Sequence, residues 1–273
     1  MSVLVRLLGG LGNQMFQYAA GRALADRHGV ELALDLTAFE TYGLRRYELD
    51  AFAIRARVAT PEDLEPYAAP AARTFQEQCF SFNAGLPDLT PPVRLEGYWQ
   101  SERYFQDIKD ALRADFTLRR PLDAPNREML ARIGDCASVS LHVRRGDYVS
   151  NPVTNEFHGV LGLEYYRAAV ACVADREPEP HLFVFSDDPQ WAQANLDLGH
   201  PATFVAHNDP DHGWLDMRLM SACRHHIIAN SSFSWWGAWL GSRPDGIVAA
   251  PRRWFNQGPC DTGDLFPEGW TLL

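Results

Sequence analysis

The segment His142-Val143-Arg144-Arg145-Gly146-Asp147-Tyr148 puts an imidazole, two guanidinium groups and a carboxylate within seven residues. It begins where the apolar run from Ser138 to Val143 gives way to a glycine loop. In open α/β sheets, ligands collect outside the carboxyl ends of strands. A planar guanidinium at such a point can grip two phosphate oxygens at once. It could also stabilise the negative charge that grows on a departing pyrophosphate, without a metal. The plainer alternative is an Arg–Asp pair that braces the turn. His142, two residues before Arg144 on the strand edge, weighs the segment toward chemistry.

Three further segments end strand-like runs. Asn230-Ser231-Ser232-Phe233-Ser234-Trp235-Trp236-Gly237 opens a helix, where hydroxyls and free N–H groups make an anion site. Ser234 and the two tryptophans read as an N-terminal serine and core aromatics, whereas Ser231 and Ser232 gain a ligand role only beside the arginine loop. In Phe185-Ser186-Asp187-Asp188-Pro189, Asp188 suits a helix cap and Asp187 is the better ligand candidate. Gly9-Gly10-Leu11-Gly12-Asn13-Gln14 lacks the Gly-Lys-Ser/Thr of a Walker A loop and is not a full G-x-G-x-x-G. Its glycines permit a tight turn and close approach to the backbone, and pattern alone favours Asn13 as a helix cap.

No metal site is expected. Asp209-Pro210-Asp211 reads as a capping segment between His207 and His212 rather than a cation site. His225 and His226 are adjacent, so their rings point apart, and one of them reads as a structural histidine.

The elements that must position these residues alternate. Strands are expected at Val3–Leu8, Glu31–Leu36, Val93–Gly97, Ser138–Val143, His181–Ser186, Thr203–Ala206, His226–Ala229 and Gly246–Ala250. A helix follows Gly12, with Arg27 and His28 in its last turn and Gly29 at its C′ position. Others are expected at Leu163–Arg176, from Pro189, at Trp214–Arg224 and at Ser231–Leu240. Ser101 is expected to cap a helix carrying Tyr104, Phe105, Ile108 and Leu112. Such alternation implies parallel sheets covered by helices. The Ala- and Pro-rich stretch from Thr60 to Pro92 gives no clear elements. Pro121–Pro125 reads as a linker or helix entry, with a domain boundary near 121–135.

Composition narrows the class. With 46% hydrophobic residues the chain can bury a real core. Lys and Arg number 25 against 35 Asp and Glu, a net charge of −10, which argues against a nucleic-acid-binding face. Any phosphate site must therefore concentrate positive charge locally. The five cysteines, Cys79, Cys136, Cys172, Cys223 and Cys260, form no C-x-x-C pair, so a reducing cytosol is expected rather than a disulfide framework. The first strand-like run starts at Val3, so no secretory leader is expected before it. No apolar stretch approaches the roughly 18 residues of a membrane span.

Taken together, these motifs resemble the α-1,2-fucosyltransferase family, glycosyltransferase family 11. The resemblance runs almost the whole chain. It rests on Gly9 to Tyr18, on Gly97-Tyr98-Trp99-Gln100-Ser101 with Tyr104-Phe105, and on His142 to Tyr148. Phe185 to Asp188 and Asn230 to Ala238 complete it. Residues from about 60 to 90 match least, and acceptor choice is expected there. The resemblance implies an α/β, GT-B-like fold of two Rossmann-like domains facing a cleft. Residues 1–128 would form the acceptor-side domain and 129–273 the domain that binds the GDP-sugar donor.

It implies an inverting, metal-independent transfer of fucose from GDP-fucose to the 2-hydroxyl of a terminal galactose. GDP-fucose is then a co-substrate and no cofactor is needed. By that analogy Arg144 holds the pyrophosphate, with His142 and Asp147 in support, and Asp187 reads the guanine. Ser231, Ser232 and Phe233 hold phosphates or base, with Asn230, Gly10 and Gly12 also in the donor-binding set. Asn13 faces the fucose and the acceptor, so the catalytic set is Arg144, Asn13, Asp147 and His142. The general base stays open among His142, Asp147, Glu156 and His158. The expected partners are GDP-fucose and a galactose-terminated oligosaccharide, with no nucleic acid. The expected location is the cytoplasm, and peripheral action on lipid-linked glycans at the inner membrane is a further hypothesis.

Overall fold

The computed structural model describes residues 2–41, 43–67, 73–258 and 261–273. Cys260 and part of the unassigned 60–92 stretch lie outside them. The chain forms two compact units, Met1–Arg120 with Asp261–Pro267, and Pro121–Cys260 with Glu268–Leu273.

The first unit holds five parallel strands: β1 (Ser2–Arg6), β2 (Glu31–Asp35), β3 (Arg57–Val58), β4 (Thr74–Gln76) and β5 (Val93–Glu96). Their order is β3-β2-β1-β5-β4. The longest helix, α1 (Leu11–His28), follows β1; α2 (Pro61–Leu64) and α3 (Lys109–Asp115) are short. Val3, Val5, Leu34 and Leu95 of the strands and Met15, Phe16, Ala19 and Ala20 of α1 are all wholly buried. Gly29 ends α1 with a left-handed φ of 61°, and its N–H reaches the carbonyls of Ala25 and Asp26, as the last-turn Arg27-His28-Gly29 pattern predicts. A buried polar knot ties α1 to α3: Asp115 accepts from Tyr18 Oη at 2.7 Å and from Arg22 Nε at 3.1 Å.

The second unit holds six parallel strands: β6 (Ser138–Val143), β7 (His181–Ser186), β8 (Ala202–Val205), β9 (His225–Ile227), β10 (Val248–Ala250) and β11 (Thr271–Leu272). Their order is β11-β10-β9-β6-β7-β8. Its helices are α4 (Ala124–Gly134), α5 (Gly146–Ser150), α6 (Pro152–His158), α7 (Leu163–Ala174), α8 (Pro189–Asn195), α9 (Gly213–Met220) and α10 (Ser232–Gly241). Strand alternation divides the core. Val139, Leu141, Leu182 and Val184 pack with Tyr166, Ala169 and Val170 of α7. Phe183 and Phe185 point the other way, onto Met129 and Ile133 of α4 and Leu219 and Met220 of α9. Because side chains alternate along a strand, Ser138, Ser140 and His142 of β6 leave the face taken by Val139 and Leu141. Ser140 Oγ there pairs with His226 Nδ1 at 2.8 Å.

Three expectations need correction. The boundary lies at 120/121 rather than 128/129: Asp123 caps α4 by accepting from Asn126 N at 3.0 Å, and Met129 and Ile133 bury α4 against the second sheet. Residues 261–267 return to the first unit, where Asp264 accepts from Phe82 N at 3.0 Å and pairs with Arg103 at 2.5 Å. Ser101 does not open a long helix. It caps a 3₁₀ turn, Glu102–Tyr104, a second turn follows, and the α-helix begins only at Lys109. The stretch from 60 to 92, read as featureless, holds α2 and β4; both are too short for periodicity to register.

Candidate active site

Where the chain's winding in a parallel sheet reverses, a crevice opens at the strands' carboxyl ends. In the second unit β7 and β8 lie to one side of β6, and β9, β10 and β11 to the other. The reversal therefore falls between β6 and β9. The arginine segment leaves β6 there, and Asn230-Ser231-Ser232 leaves β9.

Side chains join the two segments. Tyr148, in α5, donates its hydroxyl to Asn230 O at 3.2 Å. The His142 ring lies 5.5 Å from that of Phe233, in the first turn of α10. The N-cap of α10 is Ser231, 9% exposed, whose side chain makes no cap bond. Ser234 Oγ instead takes the N–H of Ala229 at 3.2 Å. Trp235 and Trp236 are wholly buried, as their core reading requires.

Arg144 is held by carboxylates on both sides. It pairs with Asp147 one turn on, and with Asp187 from the end of β7 at 2.6 Å. Its guanidinium carbon sits 5.1 Å from the Tyr148 ring centre. Asp187 also accepts from the Arg145 backbone N–H at 2.8 Å. A Cβ on Gly146 would come within 2.5 Å of the Asp187 carboxylate, so this loop needs glycine. The Arg–Asp brace of the plainer reading is present, and it holds Arg144 at the carboxyl end of β6. Asp188 caps α8 by accepting from Trp191 N at 3.1 Å and pairs with Arg145 at 3.2 Å. Arg145 stacks 3.7 Å over Trp191, a contact between segments 46 residues apart that no local pattern signals.

Asn230, grouped by sequence with the donor ligands, is only 2% exposed. Its Nδ2 donates to the carbonyls of His158 at 2.9 Å, Gly159 at 3.3 Å and Trp254 at 3.2 Å. Its side chain is a brace for the loop after α6. His158 in turn stacks on Tyr148 with ring centres 4.6 Å apart and planes 7° apart.

Burial, then the nearby Arg144 charge, pushes His142 down to about 3. Burial pushes His158 down to about 4, and Arg144 adds to this against the opposing pull of Asp147. Both rings are neutral at pH 7 and weak as general bases, since a base works best with a pKa near the operating pH. His226, wholly buried, is lowered to about 4, chiefly by desolvation. The unfolded chain binds protons on these rings below about pH 6.5 and the folded chain does not. Stability is therefore expected to fall as pH drops from about 6.5 toward 4. At pH 5, His142 and His226 should each cost roughly 2 kcal/mol. Denaturant midpoints at pH 7.5 and pH 5 measure this, and His226→Gln should flatten the difference.

In the first unit β1 lies at the centre of the sheet, between β2 and β5. Gly9, with φ of 86°, turns the chain out of β1. The N-cap of α1 is Gly10, so Asn13 is not the cap but the third helical residue, and Gly12 is buried inside the first turn. Asn13 Oδ1 accepts from Gln100 Nε2 at 2.9 Å. Gln14 bonds the carbonyls of Gly9 and Arg46 and accepts from Glu48 N. Gln17 links Leu8 N to Gly97 O.

Asp209 accepts from Asp211 N at 2.8 Å and caps the 3₁₀ turn Pro210–His212, as a capping segment would. His225 accepts from Ile247 N at 3.0 Å and His226 pairs with Ser140, so both are structural. Among the described residues, no three His, Cys, Asp or Glu side chains are grouped to hold a metal. No helix there is long and apolar enough to cross a membrane.

Comparison with known proteins follows this geometry. An Escherichia coli alpha-1,2-colitosyltransferase is 36% identical over 100% of this chain and 99% of its own length. The human galactoside alpha-(1,2)-fucosyltransferase 1 is 28% identical, over 85% of this chain and 63% of its own length. A variant of Arabidopsis thaliana FUT1, solved in complex with GDP, aligns with 90% of this chain and 69% of its own at a TM-score of 0.52 and 9% identity, a likeness of fold alone. The fold is thus α/β and GT-B-like. The family description "Glycosyl transferase family 11" matches residues 2–273, and the chain belongs to that family of glycosyltransferases.

Proposed function

We propose that the protein is an inverting, metal-independent α-1,2-fucosyltransferase. It moves L-fucose from GDP-fucose to the 2-hydroxyl of a terminal galactose. The acceptor oxygen attacks the anomeric carbon, the bond from that carbon to the pyrophosphate breaks, and GDP departs. The acceptor's proton passes to a base, for which His142, Asp147, Glu156 and His158 are the candidates. The observation that carries this reading is the placement of the Arg144 segment and the α10 N-terminus, with Ser231 and Ser232, at the carboxyl ends of the neighbouring strands β6 and β9, joined by the Tyr148–Asn230 bond. There a guanidinium, hydroxyls and helix N–H groups suit a diphosphate whose charge grows as it leaves. Arg144 binds the pyrophosphate, exchanging part of its hold on Asp147 for phosphate oxygen. Phe233 and Asp187 lie beside it for the nucleoside. The first unit, through Asn13, serves the acceptor. The enzyme works in the cytoplasm without a resident cofactor.

A second reading is favoured by the 36% identical relative, whose name is that of a colitosyltransferase: the same reaction with another GDP-sugar. One experiment separates these. The purified protein is incubated with GDP-fucose and a panel of galactosides, with EDTA present, and both released GDP and the new linkage are assayed. Acceptor-dependent GDP release with a 2-linked fucose is the expected result. Transfer from GDP-colitose but not GDP-fucose would move the donor assignment. Loss of all turnover on EDTA treatment would overturn metal independence, and GDP binding without transfer or donor hydrolysis would leave only a nucleotide binder.

A further inference from the structure

Gln100 occupies a place in the first unit that the donor chemistry leaves unexplained. It follows β5, the sheet neighbour of β1, and the Gly9-Gly10 turn follows β1. Its Nε2 is spent on Asn13 Oδ1 at 2.9 Å, which fixes the amide's direction. Its Oε1 is buried and has no hydrogen-bond partner, and the residue is only 7% exposed. Beside it, Trp99 is wholly buried with an unpartnered Nε1 and a backbone φ of 55°. A bulky residue in the left-handed region is strained. Glu77 holds the strand end in place, accepting from Tyr98 N at 2.7 Å and from Trp99 N at 3.0 Å.

Buried polar atoms are almost always paired, because an unmade bond inside the fold costs the full desolvation of the group. Here an acceptor and a donor stand unpaired on consecutive residues, next to the N-terminal turn of an 18-residue helix. Strain and unpaired groups concentrate where a ligand completes them. An amide oxygen locked in direction by its own nitrogen suits a sugar hydroxyl: the oxygen accepts the hydroxyl proton that nothing else in the fold supplies.

We infer that Gln100 is a sugar-binding residue of this enzyme, its Oε1 accepting from a pyranose hydroxyl when the glycan or the transferred sugar arrives. The inference rests on the glycosyltransferase reading above and adds a residue to the sugar side of its site. It requires a small outward adjustment of the Gly97–Ser101 segment when the ligand enters.

The test is a binding titration, which needs no turnover. A galactose-terminated oligosaccharide is titrated by saturation-transfer NMR into wild type and Gln100→Leu, both saturated with GDP. GDP and GDP-fucose affinities are measured in parallel. The leucine variant removes the buried, unpartnered Oε1 together with the bond to Asn13, two changes of opposite sign, so its melting temperature should stay within a few degrees of wild type. Its GDP affinity should be unchanged, while sugar affinity falls about tenfold or more. If the loss is in the oligosaccharide, the hydroxyl belongs to the acceptor; if it is in GDP-fucose relative to GDP, it belongs to the transferred sugar. Gln100→Asn keeps an amide but withdraws it by one carbon, and carries the same expectation if the leucine variant does not fold. Unchanged affinity for both sugars in either folded variant overturns the inference, as does a wild type in which neither sugar adds affinity. Sugar binding that depends on Gln100 in a protein that transfers nothing would instead sink the transferase reading alone.

Discussion

Replacing Arg144 with alanine should lower kcat/KM by about two orders of magnitude or more, an activation cost on the order of 3 kcal/mol. The guanidinium sits at the carboxyl end of β6, aimed by Asp187 at 2.6 Å, by Asp147 and by the Tyr148 ring. A group held in direction before the donor arrives needs no reorganisation when the leaving-group charge develops. The loss should therefore fall mainly in kcat rather than in KM. Arg144→Lys keeps the charge but cannot grip two oxygens in the same plane, so it should recover only a small part. The measurement is steady-state GDP release with the acceptor held saturating, alongside a melting curve. Turnover within twofold of wild type in the alanine variant would remove Arg144 from the chemistry. Removing Arg144 also leaves Asp147 and Asp187 facing each other unneutralised, so a modest fall in stability is expected beside the kinetic effect.

The second large effect is on stability. Asn230→Asp should destabilise the second unit by roughly 3–5 kcal/mol. The substitution changes almost no volume, but it exchanges an NH₂ for a carboxylate oxygen that faces the carbonyls of His158, Gly159 and Trp254. At 2% exposure water cannot relieve that contact. The charge must be neutralised by taking up a proton or the loop after α6 must move. Chemical denaturation at pH 7.5 reads the effect directly. Lowering the pH should recover part of it as the carboxylate protonates, until the acid loss from His142 and His226 takes over. A variant as stable as wild type, with weakened donor binding alone, would show that Asn230 is a ligand rather than a brace. Asn230→Ser offers a milder comparison, since its shorter side chain keeps one donor and carries no charge.

These two positions show where sequence reading and structure part. Arg144 announces itself: a guanidinium at the end of an apolar strand, followed by glycine and aspartate, is a local pattern, and local patterns are what a sequence displays. The strands β6 and β7 were legible to the residue, and α1 nearly so, because each is long, apolar at the right period and bounded by glycine or a capping residue. The capping roles of Asp188 and Asp209 were equally visible, since a cap and the helix it serves are neighbours along the chain. The elements from 60 to 92 were not, because a four-residue helix and a three-residue strand on a sheet edge have no period to detect, and the strand is formed only by pairing with β5.

What the sequence determined by itself was the alternation of strand and helix, the family, and the residue types gathered at strand ends. Only the tertiary structure decided the partners. Strand order placed the reversal at β6/β9 and set β5 beside β1, and so chose which strand ends are neighbours; no local signal carries strand order, because it is fixed by which helices bury which faces. The same step turned Asn230 inward as a brace, made Asp187 the rest for Arg144, and set Asn13 inside α1 against Gln100, 87 residues away. Hydrogen bonds across such separations are selected by the packed core, and side chains that look equivalent in a motif become ligand or scaffold according to which way the strand beneath them faces.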